Sequence, residues 1–442
     1  MSESLLKAVQ RESELKVTGT FDEEILMNCM RCGFCLSACP TYRHEEVESA
    51  APRGRIALMR AVHEENLSIV DIAQSLDECL GCRACEVVCP AGVEYGTLLE
   101  SGRAALTAAR PNPWPMRFAY KYVLGTPFGI KAAGWGLWLY QVTGLQKLAQ
   151  ATGLVAKIGG VGMAGMEAAV PRTASPLRRA QARQLPITYA VGPRRLKVGF
   201  FLGCLSEIAF FETNQNAIAV LAQAGCEVTI VPGQGCCGAV HAHAGEHDLF
   251  VQQATRNIAA FENGGFDYIV NTAGGCGAAL KEYGKHFQND PQWAERAAQF
   301  SARCKDFAEL VAELAPLPMG ELSGRVTYQD SCHLRNVQKV VGQPRKLLKS
   351  IPGMEYVELP EADRCCGAAG TYAMTQALIS DDLLDQKMEK VKGTRAATLV
   401  VANPPCQLEM IEGVQRAGLA DQIQVKHIAD VLAEAVRKAK KK

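Results

Sequence analysis

Sulfur dominates the chemistry open to this sequence. Eighteen of its 442 residues are cysteine: eight between Cys29 and Cys89, none from Pro90 to Gly203, and ten from Cys204 to Cys406. The first eight form two runs of one spacing, Cys29-x2-Cys32-x2-Cys35-x3-Cys39-Pro40 and Cys79-x2-Cys82-x2-Cys85-x3-Cys89-Pro90. Three thiolates at this spacing wrap a loop round one [4Fe–4S] cubane, and the fourth, on the departing chain, reaches the other cubane. That rule assigns Cys29, Cys32, Cys35 and Cys89 to one cluster, and Cys79, Cys82, Cys85 and Cys39 to a second. Zinc also accepts tetrahedral sulfur, but zinc sites rarely crowd three thiols into one seven-residue loop with the fourth ligand shared elsewhere. Pro40 and Pro90 fix the chain direction after the fourth cysteine.

The later cysteines repeat at a longer interval. Cys204 pairs with Cys332, Cys236-Cys237-Gly238 with Cys365-Cys366-Gly367, and Cys276 with Cys406, at offsets of 128, 129 and 130 residues. Three nearly equal offsets in one register indicate a duplicated unit, each copy carrying four cysteines. Adjacent side chains on an extended strand point to opposite faces, so both thiols of a Cys-Cys pair reach one site only if the chain turns there; Gly238 and Gly367 permit that turn. The segments Thr272–Cys276 and Asn403–Cys406 read as helix starts, where the dipole favours a thiolate. Four convergent thiolates suit a [4Fe–4S] cluster or a zinc ion. Cys226, before a strand, and Cys304, in a helical stretch, lack repeat partners and read as buried apolar residues. His241, His243, His247 and His333 lie near these cysteines and could serve a quinone, a proton or an outer contact, but ordinary core or surface roles are the preferred reading. Arg53 and Arg55 stand where they could offset cluster charge, with surface or capping roles as the alternative.

These residues need elements to hold them. The stretch between Cys39 and Cys79 contains a helical pattern, Gly54 to Glu65, started by Pro52, which makes residues 1–100 a helical ferredoxin-type domain carrying the two clusters. From Leu196 onward, short β-rich runs such as LKVGFFLGC, CEVTIVPGQGCCG, FDYIVNTAGGCG, RVTYQDSCH and TLVVANPPC end at or near cysteines and alternate with helical stretches. This is the pattern of parallel α/β units, whose ligands gather at strand C-termini. The chain is thus a multidomain α+β protein: the helical domain, then two homologous α/β lobes at 196–324 and 325–442. Between them, residues 101–195 form a basic, aromatic-rich linker or docking segment.

From Glu100 to Arg195 there are 13 Lys or Arg against two acids. Trp135, Trp138, Leu139, Val142, Leu145 and Leu148 recur at steps of three or four, one face of a helix. Such a segment suits an anionic cytoplasmic leaflet; docking on the chain's own domains or on an acidic partner is preferred, because the glycines weaken a free interfacial helix. Gly160-x-Gly162-x-x-Gly165 matches the dinucleotide fingerprint by letter, yet Pro171 cuts any following helix short and no acid follows to hold a ribose, so it reads as a flexible joint.

Composition bounds the rest. Lys plus Arg total 47 against 46 acids, a net charge of +1, so no global field draws the chain to nucleic acid. The longest stretch in the apolar middle, Ala132 to Gln146, is 15 residues, below the roughly 20 that a membrane span needs. The first sixteen residues alternate in charge and carry no secretory signal. A cytoplasmic, reducing setting, with peripheral contact at the inner membrane face as the open alternative, favours metal or redox roles for the cysteines over disulfides.

The segments NCMRCGFCLSACPTYR, PRGRIALMRAV, CLGCRACEVVCPAGVEYG, GCCGAV, TAGGCGAALKEYG and CCGAAGTYAMT resemble the iron–sulfur subunits of bacterial glycolate oxidase (glycolate dehydrogenase), over essentially the whole chain. The ferredoxin motif and the CCG repeat are also similar to the glycerol-3-phosphate dehydrogenase anchor subunit, lactate-utilisation proteins and heterodisulfide reductase. The resemblance implies an electron-transfer subunit working with FAD-binding subunits that oxidise a 2-hydroxy acid, glycolate or lactate, and passing electrons to a quinone or another carrier. It implies no catalytic residue on this chain. The alternatives are catalytic reduction in the CCG lobes, as in heterodisulfide reductase, and an anchor-subunit role. The heterodisulfide reductase repeat ends in Cys-x-x-Cys, whereas here the runs are Cys276-Gly-Ala-Ala279 and Cys406-Gln-Leu-Glu409, which leaves four thiolates per lobe and favours a four-ligand site.

Overall fold

The computed structural model describes residues 20–440; the expectation of no secretory signal, and the last two lysines of the basic tail, lie outside the described residues. The chain divides into two units, one of residues 1–117 with 240–248, the other of 118–239 with 249–442.

In the first unit, residues 20–117 are helical. Asp22 caps helix Glu23–Met27 by accepting from the Ile25 amide at 3.1 Å. Short helices Phe34–Ala38, Pro40–Glu45 and Ala84–Val87 follow the cysteine loops, and two longer ones, Pro52–His63 and Tyr95–Ala109, frame them. Pro52 is the first helical residue of its helix, where its missing N–H does no harm. Ile56, Met59, Leu76, Leu98 and Leu99 form the core under the cysteine loops.

The second unit holds both lobes. Lobe 1 has a five-stranded sheet of β1 (Ile187–Thr188), β2 (Leu196–Phe200), β3 (Cys226–Ile230), β4 (Tyr268–Asn271) and β5 (Cys304–Asp306), in the order β1-β3-β2-β4-β5. Only β1 runs antiparallel. Lobe 2 has β6 (Gly324–Tyr328), β7 (Met354–Tyr356), β8 (Thr398–Val401) and β9 (Gln424–His427), all parallel, in the order β7-β6-β8-β9. Apart from the edge strand β1, the two sheets share one strand order. The chain reverses direction across the sheet between β2 and β4, and again between β6 and β8, the crevices where open α/β sheets receive ligands. The C-terminal halves of β2, β4, β6 and β8 are buried, as strands covered by helices on both faces must be.

The two lobes share one apolar core. Val198, Phe200 and Val228 of lobe 1 belong to the same buried cluster as Val326, Tyr328 and Leu432 of lobe 2. Helix Ile428–Ala439 lies on helix Phe211–Gln223, where Thr213 and Asn216 donate to the Asp430 carboxylate at 2.9 and 2.8 Å.

Four local expectations change. Cys304 opens strand β5 rather than sitting in a helix, because Ile269 and Val270 offer it a parallel ladder. The helical stretch expected after the first β-rich run breaks at Phe210 into Cys204–Ala209 and Phe211–Gln223. The single helical face expected from Trp135 to Leu148 is split at Gly144, whose φ of +80° ends helix Pro127–Val142 and lets Leu145–Thr152 begin. Gly160-x-Gly162-x-x-Gly165 is not a loose joint: it lies within Leu154–Ala169, kinked only at Gly160. Gly162 and Gly165 press that helix onto lobe 2, where a Cβ would stand 2.3 Å from the Ala373 carbonyl and 1.9 Å from the Glu412 carboxylate.

Candidate metal centres

The two N-terminal loops curl alike. Residues two and four positions after the first cysteine are left-handed in both: Arg31 and Gly33 at φ +56° and +87°, Gly81 and Arg83 at +61° and +58°. This backbone turns three successive cysteines inward, and two of the four positions are arginine, held there against the usual steric preference.

Cys29, Cys32, Cys35 and Cys89 line one cavity with Met30, Phe34 and Pro90; Cys85 borders it as well. The second motif's fourth cysteine thus lines the same cavity as the first motif's three. Cys79, Cys82, Cys85 and Cys39 are buried. Cys39 Sγ lies 3.2 Å from Thr41 Oγ1, and burial together with Cys82, Cys79, Glu86 and Cys39 pushes the Cys85 thiol well up. Burial alone would raise Cys79 too. Instead Arg55, Arg103, the Tyr95 hydroxyl (3.5 Å) and the Gly81 amide (3.4 Å) together hold it below the ordinary thiol range. Arg55 is therefore a buried cation beside the second group, donating to Ser75 O at 2.6 Å and Thr41 Oγ1 at 3.0 Å. Arg103, which the sequence did not single out, donates to the carbonyls of Leu76 and Cys79 at 2.9 and 2.5 Å and so braces the loop from behind. Arg53 pairs with Glu48 and reaches the Arg31 carbonyl at 3.3 Å, at the rim of the cavity lined by Cys29, Cys32, Cys35 and Cys89.

The lobes place their cysteines at the C-terminal ends of the parallel strands. In lobe 1, Cys204 follows β2, Cys236 and Cys237 follow β3, and Cys276 sits in the first turn of Gly274–His286 after β4. In lobe 2, Cys332 follows β6, Cys365 and Cys366 follow β7, and Cys406 sits in the first turn of Pro404–Arg416 after β8. The thiols of each set touch in series. Cys204 meets Cys236 at 3.4 Å, then Cys237 and Cys276; Cys332 meets Cys365, then Cys366 and Cys406. Gly238 and Gly367, at φ +86° and +100°, make the turns that bring both thiols of each pair to one side. A side chain there would also collide, with Phe250 or Ser380 at 2.8 Å.

Helix starts were expected to ease ionisation of Cys276 and Cys406. Their thiols are raised instead. For Cys276, the bond from Cys237 pulls down, but burial and the neighbouring Cys204 and Cys236 outweigh it. For Cys406, Cys366 and burial drive the rise. Four crowded, buried thiols cannot all ionise beside one another; a cationic group bound among them removes that conflict, so the donor sets fit a thiolate-bound metal centre. Among the described residues no three His, Cys, Asp or Glu side chains close round one point as a lone ion requires; the thiols are gathered without forming a single-ion shell.

The surroundings of the two lobe sets differ. In lobe 1, neutral groups brace the backbone: Tyr283 OH donates to Cys237 O at 2.6 Å and Asn257 Nδ2 to Cys236 O at 2.8 Å. In lobe 2, titratable groups crowd in. His333 Nδ1 lies 3.4 Å from Cys332 Sγ, Lys387 is buried near Cys365 and Cys366, and Glu409 occupies the position where heterodisulfide reductase has its extra cysteine. Burial, with Glu412 and Asp381, pushes the Glu409 carboxyl to about 8 despite its 3.0 Å bond from Ser380. Glu409 was legible in principle, since a residue three positions after Cys406 shares its helix face. Lys387, Tyr283 and Asn257 come from distant segments and gave no sequence signal. His241 is buried, Cys226 and Cys304 are buried as expected of apolar residues.

The 4Fe-4S dicluster domain model matches residues 25–93, the cysteine-rich domain model matches twice, at 198–281 and 326–411, and the model for the glycolate oxidase iron-sulfur subunit linker region matches 111–170. A probable glycolate oxidase iron-sulfur subunit of Bacillus subtilis (strain 168) is 42% identical over 98% of both chains. The chain belongs to the glycolate oxidase iron–sulfur subunit family. The glycolate oxidase iron-sulfur subunit of Escherichia coli (strain K12) is 30% identical over 94% of this chain and 95% of its own. A lactate utilization protein A of Oceanobacillus iheyensis is 33% identical over 54% of this chain and 96% of its own. Within this family member, the dicluster match spans both N-terminal cysteine runs, and each cysteine-rich match contains one complete set of four lobe cysteines.

Proposed function

We propose that the chain is the electron-transfer subunit of a flavin-dependent 2-hydroxy-acid dehydrogenase, with glycolate or lactate oxidised on partner FAD-binding subunits and a quinone or other carrier as acceptor. The observation that supports this reading is the family match together with the cysteine contacts: the four thiols of each lobe touch in series, and Cys29, Cys32, Cys35 and Cys89 line one cavity. In the first unit, Cys29, Cys32, Cys35 and Cys89 would hold one [4Fe–4S] cluster, and Cys79, Cys82, Cys85 and Cys39 the other. In the lobes, Cys204, Cys236, Cys237 and Cys276, and Cys332, Cys365, Cys366 and Cys406, would each hold a further [4Fe–4S] cluster or a zinc ion. Bound clusters supply one-electron uptake and release. The protein's own residues do the rest: the second N-terminal set, Cys39, Cys79, Cys82 and Cys85, is buried away from water, Arg55 and Arg103 offset negative charge, and Gly238 and Gly367 shape the lobe sites. Ala279 and Glu409, in place of extra cysteines, support four-ligand sites over a disulfide-cleaving centre.

Iron and zinc counts on anaerobically purified chain test the assignment. Two cubanes give about 8 iron and each iron-bearing lobe adds about 4, so the expected count is about 12 to 16. About 8 iron with zinc would make the lobes zinc-stapled scaffolds. Substrate is tested by adding glycolate, D-lactate, L-lactate or glycerol 3-phosphate to the assembled complex; bleaching of cluster absorbance by glycerol 3-phosphate alone would overturn the hydroxy-acid reading.

A further inference from the structure

The helices of the middle segment present two unlike sides. Helix Pro127–Val142 turns Gly129, Ile130 and Gly134 inward, and Gly134 packs so closely that a Cβ would collide with the Arg179 guanidinium. This side packs on helix Pro176–Gln184 and on helix Cys204–Ala209 of lobe 1. The opposite stripe does not. Phe128, Trp135, Leu139 and Val142, at helical steps of seven, four and three, are 80, 60, 53 and 55% exposed. The next two helices continue the pattern: Leu148 is 60% and Ile158 78% exposed. Soluble surfaces rarely carry so many large apolar side chains together.

Charge indicates what covers them. Lys131, Lys147 and Lys157 are exposed on these same three helices, within a segment of 13 basic and two acidic residues. Among the described residues, Lys147 and Lys157 have no acidic partner in an ion pair. Large aromatic and aliphatic side chains interleaved with unpaired lysines, on helices held by their other side, suit a negatively charged bilayer surface. No helix among the described residues is long and apolar enough to cross a membrane, so the contact lies in the interface plane. We propose that residues 127–161 form a docking face for an anionic phospholipid surface, an inference independent of the electron-transfer reading.

The test is co-sedimentation of the full chain, purified anaerobically with its clusters, with vesicles of phosphatidylcholine alone or mixed with phosphatidylglycerol. Stronger binding to the mixed vesicles is expected. Lys147→Ala with Lys157→Ala should weaken that binding about thirtyfold, from roughly 1 kcal/mol per basic side chain at such a surface. Trp135→Ala with Leu139→Ala should weaken it at least ~tenfold through lost apolar burial. Unchanged cluster absorbance shows that each variant remains folded. Absence of vesicle binding, equal binding to both vesicle types, or unaltered binding in both variants overturns the proposal. A blue shift of Trp135 fluorescence with the flavoprotein subunits but not with vesicles also overturns it, and makes the face a protein interface.

Discussion

Replacing Arg55 by glutamine removes a buried charge that should set the redox poise of one cluster and spare the other. The guanidinium is 1% exposed, and its Nη1 lies 3.0 Å from Thr41 Oγ1, which lies 3.2 Å from Cys39 Sγ. The cation therefore stands within about 6 Å of that sulfur, where a unit charge at an effective dielectric near 20 contributes about 3 kcal/mol. For a one-electron couple, at 59 mV per tenfold change, this is roughly 100 to 130 mV. Reduction adds negative charge, so Arg55→Gln should lower the potential of the cluster proposed at Cys39, Cys79, Cys82 and Cys85 by about that amount. The cluster proposed at Cys29, Cys32, Cys35 and Cys89 should move much less, and Arg55→Lys should restore most of the difference. The assay is a dithionite redox titration followed by EPR on anaerobically purified protein, which reads only the folded, cluster-bearing fraction. Equal shifts in both signals, or no shift in either, would refute the electrostatic reasoning.

Cys89→Ala and Cys39→Ala test the crossed assignment: Cys89→Ala should abolish the signal of the cluster on the first motif, and Cys39→Ala that of the second, each with loss of up to about 4 iron; the reverse pattern in EPR and iron analysis would remove the crossing. Glu409 is raised from 4.5 to about 8 by burial, so its contribution to stability is full below pH 4.5 and is lost as pH rises toward 8, by up to about 5 kcal/mol at about 1.4 kcal/mol per unit. Glu409→Gln should flatten that fall, measured as denaturant midpoints across this range under anaerobic conditions, and an unchanged slope would count against a buried, protonated carboxyl. Gly165→Leu places side-chain atoms where the Glu412 carboxylate already sits; about 1 to 3 kcal/mol of destabilisation is expected, and a variant as stable as the parent in urea would show that the helix does not press on lobe 2.

How much of this was readable beforehand depended on distance along the chain. Cysteine spacing is local, and the curl of each loop follows from it. The strands ending at Cys204, Cys332 and Cys406 were legible because β-branched apolar runs buried on both faces stand out. Strand β5, only Cys304–Asp306, was not, because three residues with two charges carry no pattern until a neighbouring strand supplies the ladder. Arg53 and Arg55 show the same boundary. Two positions apart on a helix, they point to nearly opposite sides, so each meets a different cysteine set, Arg53 at the cavity of the first and Arg55 beside the second, and nothing local says which. The break at Gly144 was readable from glycine's left-handed tolerance and was lost under a periodicity that continued across it. Glu409 needed lobe 2 to close round it before its carboxyl became remarkable for anything but charge.

The shared core has a consequence for biogenesis. Asp430 meets Thr213 and Asn216 across 217 and 214 residues of sequence, and helix Ile428–Ala439 covers part of the apolar surface of lobe 1. On the ribosome, lobe 1 emerges long before the helix that seals it. Its five strands are all in hand by Asp306, yet part of its apolar surface stays uncovered until nearly the whole polypeptide has been translated.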